Sequence, residues 1–255
     1  MTIFDNELDR NLMDCIIDNA KGHSKHSARN AIRHLEKAWE IKDIDKEMAI
    51  FRAITAEEEA ATAIFMSLIE KGYDNSDKIK FKNHNYKQAL DPFIRSIHAF
   101  LGEMASKPDY PFGKVFYLKI EGEGKDRKLS LSFPFHKGTV APIPPLNFEI
   151  TKNGEKHHFK EEILEITQGK NKKDIIKHIN SISKERNVLL YAQNNGLPLI
   201  QGDIQTGLDR RKARVMVFLK IYALIYPYRE KAIFVQQALN AFLIMMGEIE
   251  DELKQ

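Results

Sequence analysis

Apolar residues recur at steps of three and four over residues 27–106, at steps of two over 112–159, and again at the helical period from 161 onward. In residues 27–41, Ala28, Ile32, Leu35 and Trp39 share one face of a helix, with Ser27 or Ser24 as its N-cap. Residues 45–71 read as a second helix closed by Gly72 at the C′ position. Asp91-Pro92 reads as the cap and first residue of a third, carrying Phe93, Ile97, Phe100 or Leu101, and Met104. Pro108 and Pro111 end that zone. Residues 115–120 and 129–133 then alternate as a hairpin around the turn-rich 121–128. Phe148-Glu149-Ile150 adds a strand before Asn153-Gly154, the strongest short hairpin-turn dipeptide. Further helices are expected over 173–193, 209–226 and from 228 to the end.

The chain is therefore expected to be an α-dominant α+β protein, a helical bundle interrupted by a small antiparallel sheet. Residues 1–108 would form a helical part, 109–165 the β insertion, and 166–255 helices packing back on the bundle. Residues 215–226 are apolar apart from Lys220, and 232–246 carry no charge; both fall short of the roughly 20 residues a membrane span needs. No membrane association is expected.

Composition narrows the chemistry. Lys and Arg total 39 against 36 Asp and Glu, a net charge of +3, too slight for a protein coated in nucleic acid. A single cysteine, Cys15, excludes an internal disulfide and every paired-cysteine metal motif. Acids punctuate the first fifteen residues without an apolar core stretch, which points to the cytoplasm. There is no Walker-type loop and no HExxH. Glu155-Lys156-His157-His158 has the ExxH spacing of a carboxylate-bridged metal site, but it follows a turn in a strand and has no second copy, so it reads as a solvated strand end. His23 and His26 read as surface residues. Neither metal nor cofactor is expected.

Glu58 is more informative. Phe51, Ile54, Ala61, Phe65 and Leu68 form a stripe in the second helix, and its gap falls on Glu58. A carboxylate in an apolar seam must find a cation, and Arg33, His34 and His84 are the candidates. The run 78–87 mixes Lys78, Lys80, Lys82 and Lys87 with Phe81 and Tyr86, a combination suited to phosphate attraction and base stacking. Arg210, Arg211 and Arg214 stand at the expected start of a helix, where positive charge opposes the dipole and suggests an anionic partner. Arg29, Asn30 and His34 form a further group: an imidazole can exchange protons with an RNA 2′-hydroxyl while a guanidinium neutralises the phosphorane. Five residues apart on one helix, Arg29 and His34 diverge by about 140°, so they converge near a helix start or across a dimer.

The helix with Ala31–Trp39, the stretch Ala56 to Ala61 in a longer helix, and a lysine-rich segment reaching His84 before another helix together resemble HEPN-type helical bundles, and among them AbiV-like abortive-infection proteins of bacterial phage defence. The resemblance covers about residues 27–105. It implies a metal-independent endoribonuclease, often dimeric, with an Arg–polar–x3–His motif. Arg29, Asn30 and His34 match those letters on the first helix. At the family's usual place, after the two long helices, the chain has His84 with Lys78 or Lys80. The resemblance thus implies His34 or His84 as the proton-transfer residue, Arg29 or Lys80 as the phosphate contact, and Glu58 as an orienting carboxylate. A second expectation is a non-catalytic module that holds a protein partner or forms a homodimer through residues 232–246.

Overall fold

The computed structural model describes residues 3–4, 6–19, 22–106, 116–166, 200 and 202–253, with scattered positions between 173 and 189. It is an α-dominant α+β fold. The helices are α1 (Glu7–Asn19), α2 (Gly22–Ile41), α3 (Lys46–Glu70), α4 (His84–Ala105), α5 (Lys160–Ile166), α6 (Ile204–Ile225) and α7 (Ile233–Leu253). Between α4 and α5 lie β1 (Tyr117–Glu121), β2 (Lys128–Phe135), β3 (Gly138–Val140), β4 (Thr151–Lys152) and β5 (Glu155–Lys156). The helix expected over 173–193 falls largely outside the described residues.

The longest described helix, α3, occupies the centre, packed between α2 and α6. Its alanines explain this place: Ala49, Ala53, Ala56, Ala60 and Ala63 are all fully buried, so neighbouring helices approach closely on more than one side. Gly207 on α6 meets α3 directly, since a β-carbon there would stand 3.2 Å from Ile50 Cδ1. The helix starts where expected, the Asp45 side chain accepting from Met48 N at 2.9 Å. It ends in a Schellman-type turn, with Gly72 N bonded to Ile69 O, Tyr73 N to Leu68 O, and Gly72 at φ 65°.

The starts of α2 and α4 differ from the sequence expectation. α2 begins at Gly22, five residues before Ser27, because Glu70 of α3 caps it: Ser24 N and Oγ donate to the Glu70 carboxylate at 3.1 and 2.5 Å. α4 begins at His84 behind Asn83, whose side chain accepts from Asn85 N, and Pro92 lies inside the helix. The extra turns deliver Tyr86, Ala89 and Leu90 to the core, which offsets the bond a mid-helix proline forfeits.

The main sheet has the order β1-β2-β3, all antiparallel, with Tyr117 opposite Ser132 and Phe133 opposite Val140. β2 packs on α6. Asn153-Gly154 forms the expected tight turn between β4 and β5, both residues at positive φ. Phe148–Ile150 is not a strand. His157 N donates to Ile150 O at 3.2 Å, and Gln237 of α7 adds to this single backbone bond: Ile150 N donates to its Oε1 at 2.9 Å, and its Nε2 donates to Ile150 O at 2.6 Å. The end of that hairpin is also less solvated than expected. His157 is buried, stacked on Phe100 at 4.2 Å between ring centroids and bonded through Nε2 to Glu162 at 3.0 Å.

The apolar runs near the carboxy terminus serve the core. Phe242 of α7 packs against Phe65, Tyr86 and Phe93, and Phe234 stacks on Phe148. Among the described residues no helix is long and apolar enough to cross a membrane.

Candidate functional site: a Glu58–His84 dyad beside a basic loop

Glu58 faces inward on α3, its side chain 7% exposed, while His84 on the first turn of α4 is 51% exposed. Glu58 Oε1 and His84 Nδ1 are 2.9 Å apart. Gln88, one turn further along α4, donates to the same oxygen at 3.4 Å. A carboxylate only accepts, so Nδ1 carries the shared hydrogen, and Nε2 sits on the opposite edge of the ring. A buried acid thus fixes the orientation and tautomer of a half-exposed imidazole. Of the cations weighed from sequence for Glu58, His84 is the one at this distance.

The approach to His84 is basic. Ile79 to Asn85 line a shallow depression that includes Lys80, Phe81 and Lys82. Lys82 Nζ lies 5.8 Å from the Phe81 ring centre, and the ring of the exposed His23 packs edge-on to Phe81 with 5.8 Å between centroids. Lys78 caps its own turn by donating to Asn75 Oδ1 at 2.8 Å.

His34 has different surroundings. Its Nδ1 lies 3.5 Å from Arg52 Nη1 of α3. Burial first, then the Arg52 guanidinium, hold its imidazole below the ordinary value, with Glu59 opposing. Arg52 and Glu59 are two helical turns apart on one side of α3, about 100° round from Glu58, so His34 and His84 address different faces of that helix. Arg29 and Asn30 are half-buried on α2, which runs unbroken through His34. Arg29 and His34 therefore diverge within the chain.

The arginines of α6 correct the sequence reading. The helix is capped by Asp203, whose side chain accepts from Gln205 N and Thr206 N, so Arg210 lies about two turns inside rather than at the dipole end. Arg211 is buried and donates to Glu57 Oε2 at 3.0 Å. Arg214 donates to Glu57 Oε1 at 3.4 Å and also lies 3.7 Å from Asp91 of α4. Arg210 remains exposed. The hollow enclosed by Glu57, Glu58, Asp91 and Arg214 amounts to about 10 Å³, smaller than a ligand needs. Arg211 and Arg214 clamp α6 to α3 and α4.

Sequence inspection missed Glu57, Gln88 and Asp91. The one available signal was that Ala53, Ala60, Ala61 and Ile64 surround Glu57 at helical spacing, a second stripe beside the one interrupted by Glu58. Among the described residues no group of three His, Cys, Asp or Glu could hold a metal ion. Comparison with known proteins matched no family model, no curated protein and no solved structure.

Proposed function

We propose that the chain acts on RNA without a metal, with His84 as the proton-transfer residue, and serves in bacterial phage defence as an AbiV/HEPN-like protein. The observation that carries the RNA reading is the Glu58–His84 bond of 2.9 Å beside Lys80, Phe81 and Lys82. An imidazole held in one tautomer by a buried carboxylate can take a proton from a 2′-hydroxyl. That oxygen then bonds to the adjacent phosphorus, the bond to the 5′-oxygen breaks, and the imidazolium or solvent returns a proton to the leaving oxygen. Lys80 and Lys82 offset the phosphorane charge, and Phe81 offers a face for a base. His84 is favoured over His34 because an acid orients it at the surface. The defence assignment rests on the resemblance of residues 27–105.

The test is cleavage of fluorescent single-stranded RNA at low salt in the presence of a chelator. Cleavage is expected, and His84→Ala should lose about 10²- to 10⁴-fold in rate. Glu58→Gln should slow cleavage and move its pH profile while RNA binding holds. Absence of both cleavage and binding, or full activity in His84→Ala, overturns the proposal.

A second reading is a non-catalytic self-association module. It is favoured by Ile233 and Ile244, each about half exposed and, eleven residues apart, within about 20° of one another on α7. The other described apolar side chains of that helix are buried or half-buried, so the contact they leave would be small. Light scattering that finds a monomer at high concentration excludes it.

A further inference from the structure

Away from His84, the inner face of the sheet does not close on the helices. A cavity of about 420 Å³ lies between β1–β2, the Leu146–Phe148 loop, and helices α3, α4, α6 and α7. Its size falls in the range of small-molecule sites, whereas protein interiors rarely keep voids larger than a water molecule. Leu118 and Phe133 wall it on the sheet side, Ile94 and Ile97 on α4, and Ile221 and Leu224 on α6. A space with such walls excludes water and accepts apolar molecules.

Its shape and its polar groups narrow the occupant. Along α4 the lining runs from Leu90 to Leu101, about 16 Å at the helical rise, so the cavity extends along about three turns of that helix. That fits one polymethylene chain better than a compact ring system. Among the described lining residues, His98 and Lys220 are the two with polar side chains, both basic, and they meet the cavity almost wholly through carbon; none of the described lining residues is an acid. His98 is exposed, as are Phe116 and Val217, which places these three at the mouth. Lys220 is bonded to Asp9 at 2.8 Å, yet an ammonium has three donors and can serve a second anion.

We propose that this cavity binds a single-chain aliphatic carboxylate, a fatty acid. The hydrocarbon lies between sheet and helices, and the carboxylate sits at the mouth against Lys220 and His98. The site is separate from His84 and independent of the RNA reading.

Isothermal titration of the full chain with sodium dodecanoate, below the concentration at which it forms micelles, tests this. Saturable binding of one molecule per chain is expected, with dodecanol binding about tenfold more weakly for want of the charge. Ala238→Phe places a ring in the cavity and should weaken binding at least about tenfold while the melting temperature holds or rises. His98→Gln, at an exposed position that folding tolerates, and Lys220→Met should each narrow the gap between dodecanoate and dodecanol. No saturable binding, unchanged affinity in folded Ala238→Phe, or a dimer in light scattering that dodecanoate neither enters nor dissociates would overturn the proposal. Should Ala238→Phe fail to fold, Ile221→Trp is the second cavity-filling variant, read the same way.

Discussion

The Glu57–Arg211 pair allows a sharp prediction because both side chains lie almost wholly out of water, 6% and 8% exposed, at 3.0 Å. Replacing Glu57 by Leu leaves the Arg211 guanidinium buried opposite an apolar group. Removing one partner of a buried pair costs about 3–5 kcal/mol, because the survivor keeps its desolvation penalty and loses its compensation. For a chain of this length that corresponds to a fall in Tm of about 6–20 °C. Arg214 cannot rescue the variant, being a like charge, but it is 29% exposed and retains Asp91, so its own share is within about 1 kcal/mol. Arg211→Met should cost less than Glu57→Leu, since Arg214 still reaches the stranded carboxylate. The double variant Glu57→Leu/Arg211→Met removes both charges and fills the seam with apolar groups; it should lie within about 1 kcal/mol of the parent or above it. Urea unfolding followed by far-ultraviolet circular dichroism, with a constant m-value across the set, measures all three. Single variants that each cost under about 1 kcal/mol, or a double variant that costs the sum of the two, would refute the view that these charges matter to one another more than to solvent.

Three further predictions follow from neighbouring features. Gln237→Leu removes the amide that serves Ile150 N and His157 O, while Ile150 O keeps its bond from His157 N at 3.2 Å, and should cost about 1–3 kcal/mol by thermal melting. Gly72→Ala forces a β-carbon into the left-handed region at φ 65° and should cost about 1 kcal/mol, with Gly72→Asn costing less. His34 binds a proton less readily folded than unfolded, so the unfolded chain gains protons first as pH falls below the ordinary 6.5, and stability drops there. His34→Gln should shrink the difference between urea midpoints at about pH 7.5 and about pH 5.5; an unchanged difference would assign that pH dependence to other groups.

What was legible from sequence was local. Asp45, Gly72 and Asn153-Gly154 act through their own backbone neighbours, and each does in the fold what its residue type dictates. Glu58 was legible because one acid interrupted one apolar stripe; His84 was one of three candidate cations, and the helix that carries it begins eight residues before the expected Pro92. Glu57 was hidden because α3 is buried on several sides, so the stripe that contains it is built of alanines and does not stand out as a hydrophobic face. The role of Arg211 and Arg214 depended on where α6 begins. Asp203 lies six residues before the expected start, and that shift moves the arginines from a dipole end to an internal clamp. Ile150 was hidden for a different reason: beside the bond its carbonyl accepts from His157 N, its N–H is served by a side chain from a helix far along the chain, which no periodicity announces.

The clamp between α3 and α6 joins residues 154 positions apart. At about 5–20 residues per second of synthesis, a nascent chain holds Glu57 without its guanidinium for about 8–30 s. During that interval the alanine-lined centre of the bundle has no lid, and the β insertion must emerge and wait as well. Chains halted on the ribosome before Arg211 would therefore carry Glu57 without its buried guanidinium and a bare apolar groove, the features that recruit chaperones and proteases. Assembly of this bundle is in effect postponed until its far end has been made.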